Sequence, residues 1–139
     1  MTLDQHPGSS DSSIESALAM TASLEWADRA EGIRLLATHF TDPRASAQIV
    51  RGLGDLDTAV VAEATGVLVR AGGVAGMRAA LQQLALSDDD AGYHIRNRLV
   101  ELWMDGYPVL DVIRGIVSEE PPGPVREGAY EMLDLLEGS

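Results

Sequence analysis

Turn signals recur every 12 to 18 residues along this chain, and each stretch between them carries apolar side chains at helical spacing. No other feature constrains the fold as much. A short helix with one apolar stripe is marginal alone and must bury that stripe against a neighbour. Several such rods in succession predict an all-α protein. The punctuation is specific. In "TDPR", Asp42 can cap a helix and Pro43 suits its first position, where the missing N–H costs nothing. Asp57 opens another segment, Asp88 the next, Pro108 lies near a further start, and "EEPPGP" makes the last break. "SSIE" reads as a capping box, with Ser12 as the cap and Glu15 three places on.

Four stripes follow the helical period: Val60, Ala64, Leu68 and Ala71; Met77, Leu81, Leu84 and Ala85; Ile95, Leu99, Leu102 and Trp103; Val125, Ala129, Met132 and Leu136. The best strand candidate, "GVLV" at Gly66–Val69, only continues the first stripe. The reading is eight helices, at about 12–21, 24–40, 43–53, 57–71, 74–86, 90–104, 107–118 and 124–136. Residues 1–11 are polar and aperiodic and are expected to be a disordered tail, leaving 12–139 as one domain. At 139 residues one core suffices. Aromatics are scarce at 4%, so close packing of small and straight-chain side chains between helices is favoured over a sheet.

Four segments begin alike: "WADRAEGIRLL", "VVAEATGVLV", "IRNRLVELW" and "VREGAYEML". Their anchors, Trp26, Val60, Ile95 and Val125, are 34, 35 and 30 residues apart. A helix-pair period in this range marks an α-solenoid. "YHIRNRLVELW" and "GPVREGAYEML" resemble the second helix of a HEAT repeat, which runs Asp-Pro-x-Val-Arg-x-x-Ala-x-x-x-Leu; Ile95-Arg96 and Val125-Arg126 match its Val-Arg step. "DTAVVAEATGVL" supplies Asp57, Val60, Ala64 and Leu68 but has Val61 where arginine is usual, and Trp26 and Ala30 keep only the apolar half. "DPRASAQIVRGLG" is similar at Asp42 and Pro43, although by position it is a first helix. The likeness spans about residues 12–136 and is greatest to short bacterial HEAT-like modules related to the phycobilisome-lyase type. It implies about four helix pairs in a right-handed superhelical stack, with the second helices lining a concave face. Lyase activity is not implied, because no pigment-binding residue can be placed.

"VRAGGVAGMRAAL" raises the one nucleotide-site question. Ala71 stands where a dinucleotide fingerprint needs its first glycine, the preceding segment reads as helix, and a chain without lysine has no Walker lysine. Gly72 and Gly73 suit a helix end, where a left-handed residue satisfies the last carbonyls, and Gly76 suits a close helix approach.

The net charge is −12, and the acids are spread evenly over both halves. Such a surface repels phosphate backbones and attracts a basic partner, so nucleic acid is not an expected ligand. Without cysteine there is no disulfide or thiolate metal site. No leader and no long apolar window is evident, so a cytoplasmic protein is expected. His6, His39 and His94 are too scattered for a metal site, "SDDD" lacks the spacing of a calcium loop, Glu119-Glu120 reads as loop charge, and no nucleophile elbow appears. No catalytic residue, cofactor or metal is therefore expected.

The face beside the core stripe of the second helices carries mixed charge: Arg29, Glu63, Arg70, Arg98, Glu101 and Glu131 are the candidate partner-binding residues, with Gly32, Gly66, Gly128 and Asp105 among them. The competing reading is an ordinary solvated face with intrahelical pairs such as Arg98–Glu101. Trp26, Trp103 and Tyr130 are expected in the core, and Tyr93 and Tyr107 as surface anchors. The expected function is a non-enzymatic interaction module with a protein partner. A narrower form is an acidic inhibitor or immunity-type protein that covers a basic target such as a nuclease. A HEAT-like DNA-repair scaffold would need a basic groove, and none is evident.

Overall fold

The computed structural model describes residues 5–138, with the backbone alone for 5–11. Every regular element among them is helical: α1 (Gln5–Thr21), α2 (Trp26–Leu36), α3 (Pro43–Gly52), α4 (Thr58–Leu86), α5 (Asp89–Met104), α6 (Val109–Glu119) and α7 (Pro124–Glu137), with one short 3₁₀ turn, Ala37–His39, after α2. Local chemistry sets most starts. Asp42, Asp57 and Asp88 each cap a helix, accepting from the amides of Arg44, Ala59 and Ala91. Pro43 and Pro124 occupy first-turn positions in α3 and α7.

Two sequence expectations about boundaries need correction. The helix expected to begin at Ser12 begins at Gln5, so Ser12 lies inside α1, and Glu15 pairs with Arg44 at 3.3 Å. Of the expected disordered tail, residues 1–4 and the side chains of 5–11, His6 included, lie outside the described residues. Among the described residues the helices number seven where eight are expected, because 57–71 and 74–86 run on as one element, α4, with a break inside it. The joint is still marked. Gly73 adopts φ 56° and ψ −137° and breaks the axis there, a conformation that only glycine adopts freely. Beyond it, Gly76 lies against the Leu68 carbonyl with no room for a side chain. The triple-glycine stretch is thus a joint between two helical arms.

The segment Thr58–Leu86 is long and apolar enough by length and composition to cross a membrane, but Gly73 breaks it and half of its apolar window is buried inside the fold. The burial has a simple cause: α4 packs against α2, α3, α5, α6 and α7 and serves both cores of the molecule. One core gathers Ile33, Leu36, Ile49, Val60, Ala64 and Leu68; the other gathers Met77, Leu81, Ile95, Leu99, Ile113 and Met132. Val60 belongs to the first and its neighbour Val61 to the second. A helix that feeds two cores is apolar nearly all round, as an interior helix must be.

The carboxy-terminal core closes differently from the amino-terminal one. Helix α7 packs on α4 and α6, and its Gly128 lies against the Leu81 carbonyl. The ion pair Arg96–Glu131 at 2.5 Å links it to α5.

Candidate functional site

The six candidate residues fall into three settings. Arg29 is structural. Its Nε and Nη2 reach both carboxylate oxygens of Asp55 at 2.9 Å, and its Nη1 donates to the carbonyls of Ser23 and Leu24 at 3.1 Å. One guanidinium thereby ties the α1–α2 loop to the α3–α4 loop, using the planar donor fork that only arginine offers. Arg29 holds the Asp55 carboxyl below the usual carboxylate range, chiefly through that hydrogen bond and against the effect of burial. Glu131 is the partner of Arg96 across α5 and α7.

Arg70, Arg98 and Glu101 do come together, on the adjoining faces of α4 and α5. Gly66 is the reason. It is buried, and a Cβ there would lie 3.2 Å from Nε and Nη2 of Arg98 and 3.3 Å from Nη2 of Arg70. The missing side chain gives two guanidiniums one seat. Arg98 pairs with Glu101 at 3.1 Å, the intrahelical pair that the i,i+3 spacing allows. Arg70 is exposed and has no ion-pair partner among the described residues, and neither has Glu63, one turn before Gly66 on α4. Beside Arg70, at the Gly73 joint, a half-enclosed cavity of about 200 Å³ opens between α4 and the start of α6.

The aromatic residues divide. Tyr93 and Tyr107 are exposed, as expected, and Trp103 is partly buried against the second core. Two expectations fail. Trp26 is 50% exposed, because as the first residue of α2 its side chain leans beyond the helix end. Tyr130 is 45% exposed, one position past the buried stripe residue Ala129, with the Arg126 guanidinium 5.5 Å above its ring.

Sequence reasoning missed the most exposed large apolar group among the described residues. Leu24 is 96% exposed and Leu56 is 100% exposed, and with Trp26 they line one hollow of about 250 Å³, edged by Glu25 and Asp57. These leucines sit in the two loops that Arg29 ties together. A larger recess of about 580 Å³ continues from them past Ile33 to Gln48 and Arg51. The available signal was an apolar residue inside each of two turns, "SLEW" and "DLDT", where a loop normally carries polar residues.

With the fold and these surfaces defined, the class they establish is an all-α protein of packed helices around two cores. Comparison with protein-family models, with curated proteins and with solved structures finds no significant match to this chain.

Proposed function

We propose that this chain is a non-enzymatic interaction module, a stack of HEAT-like helix pairs that docks a basic partner protein. One observation carries the reading: Leu24 and Leu56, on two loops fixed by the four hydrogen bonds of Arg29, stand exposed beside Trp26 at the start of α2. Large apolar side chains clustered on a rigid base are what an interface hot spot requires, and ordering them beforehand lowers the entropy cost of binding. Glu25 and Asp57 edge the group, and the whole chain carries −12, so the fitting partner is a cationic amphipathic helix and not a second copy. The stack is supported by the α1–α2 hairpin and by α4 packing on both α2 and α5; α7 departs from it by leaning on α4.

A leucine–lysine amphipathic helical peptide tests the reading. Binding is expected to shift Trp26 emission to the blue and to weaken steeply with added salt. The double variant Leu24→Ser/Leu56→Ser leaves the net charge unchanged and is expected to lose at least tenfold in affinity, about 1.4 kcal/mol. Equal affinity in that variant would place the docking surface elsewhere.

A further inference from the structure

The cavity at the Gly73 joint is walled by Val69, Met77, Val109 and Val112, with Tyr107 and Arg70 beside them. Met77 and Val109 are almost fully buried, so the floor belongs to the core and the walls are apolar. The two polar groups at this site, the Arg70 guanidinium and the Tyr107 hydroxyl, have no hydrogen-bond partner among the described residues. A second observation is independent of the cavity. Above Gly66 the Arg70 and Arg98 guanidiniums approach one point, and Glu101 pairs with Arg98 and not with Arg70. Arg70 is thus a guanidinium with no ion-pair partner among the described residues, in a chain of net charge −12. Two cations held close together repel, and a bound anion relieves that repulsion.

We propose that this cavity binds a small apolar monocarboxylic acid as a free ligand, with its hydrocarbon portion among Val69, Met77, Val109 and Val112 and its carboxylate on Arg70. Size supports a small guest. A dry cavity of about 150 Å³ is enough for benzene, so about 200 Å³ takes an acid of roughly eight heavy atoms. The planar guanidinium fork matches a carboxylate in two hydrogen bonds, which an alcohol cannot reproduce. Because the cavity spans the break in α4 and the start of α6, an occupant touches both arms of the long helix.

The test is a titration of the full chain with hexanoate and with 1-hexanol, followed by amide chemical shifts of residues 69–77 and 107–112. Hexanoate is expected to bind at least fivefold more tightly than hexanol. Arg70→Gln is expected to erase that preference while hexanol binding persists, which also shows that the variant is folded. Val112→Trp, at a half-buried wall position, is expected to remove both ligands with the circular dichroism unchanged. Equal binding of acid and alcohol by the unaltered chain overturns the proposal, as does a preference that survives Arg70→Gln. An acetylated pentapeptide ending in norleucine that binds more tightly than hexanoate would also overturn it, by making the ligand a peptide terminus.

Discussion

The two cores on either side of α4 are built from the same kind of segment and close in different ways. The amino-terminal core is locked from outside its apolar interior, by the Arg29–Asp55 bridge between loops, and it leaves Leu24 and Leu56 in solvent. The carboxy-terminal core is locked by backbone proximity, with Gly128 of α7 against the Leu81 carbonyl, while Arg96–Glu131, Arg114–Glu137 and Arg78–Glu120 run across its outside. Backbone proximity is not confined to that half, since Gly32 of α2 lies against the Ala17 carbonyl of α1; what sets the amino-terminal half apart is the polar bridge between loops with the exposed leucines beside it. The difference shows that an amphipathic stripe fixes which residues are interior but not which neighbour they are interior to.

The largest effects expected test whether the halves are one cooperative unit. Leu68 and Leu81 are both fully buried, one in each core, and each Leu→Ala change should cost about 2–5 kcal/mol. Trp26 starts α2 in the amino-terminal half and Trp103 packs against the second core, so single-tryptophan variants report each half. Shared burial on α4 predicts that Leu68→Ala shifts the urea midpoint of both probes equally, and that Leu81→Ala does the same. A Leu68→Ala protein in which only the Trp26 transition moves would show that the break at Gly73 uncouples the halves.

A smaller effect separates the two kinds of closure. An added methyl at Gly128 meets the Leu81 carbonyl, which is backbone and cannot step aside. An added methyl at Gly52 in the other half meets only side chains, the Cδ1 tip of Ile33, which can rotate, and the Cβ of Ala64 at 3.0 Å. Gly128→Ala should therefore destabilise by about 1–3 kcal/mol, and Gly52→Ala by less. Chemical denaturation of the pair gives the order; a larger cost at Gly52 would mean that the amino-terminal half is the more tightly closed one.

Much of this architecture was legible because caps and stripes are local. Asp42, Asp57 and Asp88 announce helix starts by their own hydrogen bonds, and three of the four stripe residues beginning at Val60, like all four beginning at Val125, are buried as periodicity requires. Features set by distant partners were not legible. Arg29 looks like any charged residue of a polar face until Asp55, 26 positions away, is beside it. The seating of Arg98 over Gly66 depends on how α5 lies across α4. Trp26 has the right period for the core but the wrong place on its helix, and Leu56 has no period at all.

The Arg29–Asp55 bridge also gives the amino-terminal half its own pH dependence. Asp55 titrates below its ordinary range in the folded protein, so its stabilising contribution is present above the unfolded value of about 3.9 and fades as pH falls through the lower folded one. Asp55→Asn should lower the melting temperature by a few degrees at neutral pH and flatten its decline below about pH 4. Glu137→Gln, at an ion pair about half exposed on both sides, should change the melting temperature by about 2 °C or less. Similar losses at the two sites would remove the distinction drawn between the two closures.

The smallest expected effect has the opposite sign. Gly115 lies within α6 of the carboxy-terminal half, exposed, with nothing within 4 Å of where a Cβ would stand and no left-handed backbone to preserve. Alanine there adds no clash and removes conformational freedom from the unfolded chain, so Gly115→Ala should stabilise by about 0.5–1 kcal/mol. Set against Gly128→Ala in the next helix, it isolates the cause. Both variants add the same methyl to a helical glycine, and only one places it against a neighbouring backbone. If both destabilise, helix α6 is itself packed more tightly than its open flank indicates, and the carboxy-terminal half has a second close approach beyond Gly128.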